Sequence, residues 1–164
     1  MRLTVVGGNR GTGAHVVRLA ARAGHEVTVL SRTGSEALPD GVVDRRGDAT
    51  DPDTVRRAVA GADAVVVTVG GGTANNRAAV TEAAVDAMRQ EGVRRLVVQS
   101  SLGVGDSMAL MPAPARLFAR TVLRGALADH GDQEATVRAS GLDWTVVRPG
   151  GLTDGRATGN VVAQ

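Results

Sequence analysis

The residues Val5-Val6-Gly7-Gly8-Asn9-Arg10-Gly11-Thr12-Gly13 combine residue types and spacing suited to holding a phosphate. They follow a short β-branched run and open a stretch with helical periodicity, the context that gives a glycine motif meaning. Gly7 permits a tight turn, Gly11 lets backbone approach a pyrophosphate, and Gly13 lets a helix lie close on a strand. The helix N-terminus adds unpaired N–H groups and partial positive charge. The competing reading is a glycine-rich turn that binds nothing; the strand before and the helix after favour a dinucleotide.

Further residues fall at strand ends. Ser31-Arg32 follows the second strand-like run. Dinucleotide folds place an acid there to bind a ribose 2′-OH, whereas a hydroxyl and a guanidinium suit a 2′-phosphate. Arg10 inside the loop offers a second phosphate ligand. Each arginine alone reads as a surface residue; both together favour NADP (NADPH) over NAD. Gly70, Gly71 and Gly72 end the fourth run, where a closely passing cofactor needs small residues and a flexible loop is the alternative. Ser100 and Ser101 end the fifth, on the edge where such sheets bind ligands, although Ser100 also suits a backbone cap. Asp48 ends the third, where helix capping alongside Asp51 accounts for it as well as a ligand does.

These positions require alternating strands and helices. Strands are expected at Arg2–Val6, Glu26–Leu30, Val42–Arg46, Ala64–Val69, Arg95–Ser100 and Asp143–Val147, with Ala64–Val69 at the sheet centre. Helices are expected at Ala14–Ala23, from Pro52 to Ala60 behind an N-cap at Thr50 or Asp51, at Ala74–Gln90, Ala115 to about His130, and Asp132–Ala139. Gly103–Pro114 reads as a looser stretch. Such alternation implies an α/β fold: a Rossmann-like doubly wound parallel sheet of about six strands with helices on both faces, residues 1–164 forming one domain.

Composition narrows the chemistry. The chain has 164 residues, 17 acids and 19 basic residues, every one of them arginine. With no lysine, tyrosine or cysteine, little titrates between histidine and arginine, so a net charge of +2 carries the pI to about 10.7. That pI does not mark a nucleic-acid binder. The absences exclude a thiolate nucleophile, a Cys-ligated zinc, a Schiff-base lysine and a phosphate-loop lysine. Phe118 and Trp144 are too few for base stacking, and no apolar run spans a membrane, so neither nucleic acid nor membrane is an expected partner. The start in an apolar strand without a signal-peptide layout makes a cytoplasmic location the default. The three histidines are dispersed, so no metal site is expected. Met108, Met111 and Phe118 suit lid or core packing better than a substrate pocket. Asp132, Gln133 and Glu134 read as a solvated face or a helix start.

The Gly-x3-Gly-x-Gly spacing, with HEVTVLSR (25–32), GDATD (47–51), ADAVVVTVG (62–70), LVVQSS (96–101) and SGLDWTVVRPGGLTD (140–154), resembles the atypical, NmrA-like NAD(P)H-binding branch of the short-chain dehydrogenase/reductase superfamily, which includes flavin reductase/biliverdin reductase B. The resemblance places Asp48 beside the adenine, Pro149 and Gly150 near the nicotinamide, and Ser101 at the family's active-site serine. For Pro149 the alternative is a strand stop. Relatives often carry a lysine or histidine in the helix before SGLDWT; His130 stands there, although a solvent-facing helix histidine is the preferred reading. The superfamily's usual Tyr-x-x-x-Lys dyad cannot exist in this chain. Relatives also continue past LTDG with another strand and a closing helix. The expectation is therefore a chain shortened at its C-terminus or a natural minimal form, with apolar surface exposed.

The implied activity is hydride transfer from NADPH to a small-molecule acceptor such as a flavin or quinone. A non-catalytic NADP(H) sensor is the alternative, and epimerase or dehydratase chemistry, which uses Tyr and Lys, is the weakest. Monomer and homodimer both remain open.

Overall fold

β-Branched runs make the strands and glycine turns end them. In the computed structural model, which describes residues 1–34, 38–70, 76–153, 155 and 159, six parallel strands form one sheet: β1 (Arg2–Val6), β2 (Glu26–Ser31), β3 (Val43–Arg46), β4 (Ala64–Val67), β5 (Arg95–Gln99) and β6 (Asp143–Val147), in the order β3-β2-β1-β4-β5-β6. The expected central run does lie between β1 and β5, although pairing stops at Val67. Val5, Val6, Val65 and Val67 are fully buried, as parallel strands covered on both faces require.

The helices are α1 (Gly11–Arg22), α2 (Pro52–Val59), α3 (Arg77–Gln90), α4 (Ala113–Thr121) and α5 (Arg124–Ala139), with a 3₁₀ segment at Gly105–Leu110. On one face, α1 sets Val17 and Ala20 against Val5, Val27 and Val29. On the other, α2, α3 and α5 bring Val55, Val85, Met88 and Val137 to Val6, Leu30, Val65 and Leu96. As the sequence indicates, α2 starts at Pro52 with Asp51 accepting the Thr54 N–H at 2.9 Å. None of the described helices is long and apolar enough to cross a membrane.

Two helix expectations are corrected. The break expected at Gly131 lies instead at Val122-Leu123, and Gly131 sits inside α5. An interior glycine costs a helix only ~1 kcal/mol against alanine, and polar contacts to α3 hold α5 through that point. Arg77 pairs with Asp129 at 3.0 Å, and the Gln133 amide donates to Thr81 at 3.0 Å. Asp129 also accepts the backbone N–H groups of Arg77 and Ala78, so α5 caps α3. The second is the start of α3, expected at Ala74. Asn76 stands outside the helix as its N-cap residue and Asp129 takes the N–H groups of Arg77 and Ala78, so the helix begins at Arg77. Ala74 and Asn75 lie outside the described residues.

Candidate functional site

The strand order reverses between β1 and β4: β2 and β3 lie to one side, β5 and β6 to the other. A crevice opens at the carboxyl ends of strands at such a switch point. Here it is a cleft of about 410 Å³. Of the residues singled out from sequence, Gly7, Asn9, Arg10, Gly11, Thr12, Ser31, Arg32, Asp48 and Gly70 line it. Gly71 lies outside the described residues. Gly13, Ser100, Ser101, His130, Pro149 and Gly150 are not part of its lining.

The glycine loop is built by close approach. A Cβ on Gly13 would collide with the Gly7 carbonyl oxygen and the Thr68 hydroxyl, so the helix reaches the strand ends only because that atom is missing. Gly11 has φ +51° and open space where a Cβ would stand, which leaves bare backbone facing room for a ligand. The N-terminus of α1 has no side-chain cap and no acid in its first turn. Its N–H groups and dipole are therefore left for an anion. Asn9 donates to the Thr33 hydroxyl at 3.0 Å and the Gly34 carbonyl at 3.2 Å, tying the loop to the chain leaving β2. The cradle fits a dinucleotide pyrophosphate.

At the β2–β3 end, the buried Ser31 oxygen accepts the Gly34 N–H at 3.1 Å, which leaves its hydroxyl hydrogen to donate. Arg32 is exposed at the cleft rim. Asp48 accepts the Thr50 N–H at 2.9 Å and the Thr50 hydroxyl at 2.8 Å. These bonds, with a smaller contribution from Arg32, hold its carboxyl below the ordinary value. Asp51, not Asp48, caps α2, so Asp48 braces a turn while lining the cleft.

Behind the β5 and β6 ends lies a network that the sequence reading missed. Gln133 and Glu134, expected on a solvated face, are fully buried; only Asp132 of that trio is exposed. For Glu134 the reason is a set of partners, two of them distant in sequence. Ser100 donates to Glu134 Oε1 at 2.7 Å, Arg148 donates to both carboxylate oxygens at 2.8 and 2.6 Å, and Arg138 donates to Oε2 at 2.9 Å. Burial pushes the Glu134 carboxyl up, but the bonds from Arg148 and Ser100 outweigh it and hold the group below its usual range. Arg148 also reaches Asp106 in the 3₁₀ segment at 2.8 Å. Ser100 is thus occupied by Glu134, away from the cleft lining.

The remaining candidates lie around this network. The Ser101 hydroxyl donates to the Leu102 carbonyl at 3.1 Å, and the Leu102 N–H bonds the Pro149 carbonyl at 3.0 Å. A Cβ on Gly150 would stand 3.1 Å from Leu102. His130 is half-buried on α5, its Nδ1 3.1 Å from Gln133 Oε1. Burial lowers its pKa, so the ring is neutral at pH 7. Sequence reasoning also passed over Thr68, Val69, Gln99 and Leu152, which line the cleft. Apart from their place at or just beyond strand ends, neutral residues of this kind carry no chemical signature.

Comparison with known proteins agrees with this geometry. The model of the NAD(P)H-binding family matches residues 7–164. The chain is similar to 2′-dehydrokanamycin reductase of Streptomyces kanamyceticus, 36% identical over 152 residues that cover 88% of this chain and 40% of that protein. It spans less than half the length of the curated relatives it matches. Among solved structures, ChuY, an anaerobillin reductase from Escherichia coli O157:H7, matches at TM-score 0.80 and 27% identity, covering 97% of this chain and 77% of that one. A short-chain dehydrogenase/reductase of Veillonella parvula in complex with NADP shares the fold at TM-score 0.75 and 17% identity, covering 90% of this chain and 68% of that one. A glycine cradle at the switch point of a doubly wound sheet, inside a family match over nearly the whole chain, leads to one conclusion: the chain belongs to the NAD(P)H-binding family.

Proposed function

We propose that this chain is an NADPH-dependent reductase of the NmrA-like short-chain dehydrogenase/reductase type, acting on a flat conjugated acceptor such as a flavin or quinone. One observation carries the reading: where charges and proton donors stand in the cleft. Among the described lining residues the titratable ones are Arg10, Arg32 and Asp48, at the glycine loop and the β2–β3 end. Thr68, Val69, Gly70 and Gln99 line the β4–β5 end, with no acid, base or cation among them. The charged end suits a phosphorylated adenosine; the neutral end suits an acceptor that needs no proton from the protein.

The glycine loop and the α1 N-terminus would take the pyrophosphate, and Arg32, Ser31 and Arg10 the 2′-phosphate. Bound there, a dihydronicotinamide supplies a hydride, while the accompanying proton comes from solvent. His130 is a poor alternative donor, being neutral at pH 7 and away from the lining. Ser101 also stands off the described lining, and to orient the acceptor or the carboxamide it would have to turn its hydroxyl from Leu102 toward the cleft.

Oxidation of NADPH, followed by absorbance with FMN and with a quinone panel, tests the reading; turnover with at least one acceptor is expected. Tight NADPH binding without turnover would refute it. The same lack of a proton donor favours a second reading, a non-catalytic NADP(H) sensor, for which the dinucleotide would alter association with a partner.

Arg32→Ala should weaken NADP⁺ binding about tenfold or more and leave NAD⁺ binding within about twofold, because only the former loses a charge-assisted bond. Isothermal titration of both ligands checks this, and equal effects on the two would reject the assignment of Arg32.

A further inference from the structure

Among the described residues, one buried side-chain polar atom lacks a hydrogen-bond partner: Oε1 of Gln99. An orphaned buried acceptor is rare in a folded protein and costly to leave unmade, so each one asks for a reason. Gln99 is the last residue of β5 and lines the cleft. Alternation along β5 sends Leu96 and Val98 into the core under α2, α3 and α5, which puts Gln99 with Val97 on the opposite face. A valine or leucine would fill the position without an unpaired atom.

The sheet order indicates what a ligand would offer it. Strands lie ~4.8 Å apart, so the end of β5 stands roughly 14 Å, three spacings, from the end of β2, where Ser31 and Arg32 lie. The glycine loop at the end of β1 falls between them. A dinucleotide with its pyrophosphate on that loop and its phosphorylated ribose at Arg32 presents its nicotinamide-riboside half to β4 and β5. That half carries two kinds of donor, the carboxamide N–H and the ribose hydroxyls. We infer that Gln99 is a cofactor-positioning residue whose Oε1 accepts a hydrogen bond from the nicotinamide-riboside half, fixing that half against the β5 end. This inference rests on the cofactor assignment above.

The test is a titration of the wild type, Gln99→Met and Gln99→Leu with NADP⁺, with 2′,5′-ADP, which lacks the nicotinamide-riboside half, and with the 3-acetylpyridine analogue of NADP⁺, which lacks the carboxamide N–H. Melting of the unliganded proteins is measured alongside. The expected result is NADP⁺ binding weakened about three- to tenfold, 2′,5′-ADP binding unchanged, and an unliganded melting temperature equal to or above wild type. Should the analogue bind the wild type more weakly than NADP⁺ and be indifferent to Gln99→Met, the carboxamide is the donor; should it remain sensitive, the ribose is. Both results support the inference. Unchanged NADP⁺ binding overturns it, as does equal weakening of NADP⁺ and 2′,5′-ADP. If 2′,5′-ADP fails to bind the wild type at all, the cofactor assignment falls first and takes this inference with it. The second variant keeps the test open if one of the two does not fold.

Discussion

Replacing Gly13 by alanine is expected to lower the melting temperature by ~5–10 °C and to weaken dinucleotide binding at least tenfold. The added methyl would meet the Gly7 carbonyl oxygen and the Thr68 hydroxyl, two groups held just past the β1–β4 pairing by the bonds of Thr68 to the Val6 and Gly7 carbonyls, so neither can yield cheaply. Overpacking of this kind costs about 1–3 kcal/mol and sometimes more, and each kcal/mol is worth roughly 2–4 °C in a domain of this size. Binding suffers beyond the stability loss, because α1 must retreat from the strand ends and carry its N-terminus away from the cleft. Gly11→Ala is the informative companion. Its methyl meets nothing in the protein but forces a residue with a Cβ into φ +51° and fills cleft space. It should cost a smaller stability loss and a comparable binding loss. Thermal melts and titrations of both variants check the pair, and a Gly13→Ala protein that melts and binds like wild type would refute this account of the loop.

Arg148→Met is expected to destabilise the protein by about 3–5 kcal/mol, the usual result of removing one partner of a buried ion pair. Glu134 is fully buried and would keep only Ser100 and Arg138. The double variant Arg148→Met/Glu134→Leu should recover most of the loss, since the cost lies in the stranded charge more than in a missing attraction. Acidity supplies a second readout. The folded carboxyl of Glu134 is held below its unfolded value, so its contribution is complete above roughly pH 4–5 and is lost as pH falls through the folded value. The melting gap between wild type and Arg148→Met should therefore narrow from pH 7 towards pH 3. A constant gap would mean that the destabilisation comes from packing alone.

The two variants also mark where sequence reading succeeds and where it stops. Gly13 was legible because its reason is local: a strand, a turn and a helix meet within a few residues, and only glycine fits. The parallel sheet was legible for the same reason, from β-branched runs set between helical stretches. Pro52 marked the start of α2 correctly and the structure selects Asp51 over Thr50 as its cap, since a cap and a first-turn proline act on adjacent residues. Glu134 was not legible. Two of its three partners lie 34 residues before it at Ser100 and 14 after it at Arg148, and a glutamate in an exposed-looking helical run, with Arg138 one turn on, carries no sign of them. Gly131 misled because tertiary contacts through Asp129 and Gln133 outweigh the weak helix propensity of one glycine. Ser100 was correctly placed at a strand end, but which way its hydroxyl points depends on the buried carboxylate behind it. Gln99 sat in plain view beside the two serines and was passed over, because its meaning lies in an unpaired atom and not in its residue type.

All of this turns on the claim that the cleft at the switch point holds a dinucleotide by its phosphates, with Arg32 and Ser31 favouring the 2′-phosphorylated form. Calorimetric titration of the wild-type chain with NADP⁺ and NAD⁺, at one moderate salt concentration, tests it most directly. The account predicts saturable one-to-one binding of NADP⁺ at least tenfold tighter than that of NAD⁺. Equal affinities, or no binding of either, would contradict it.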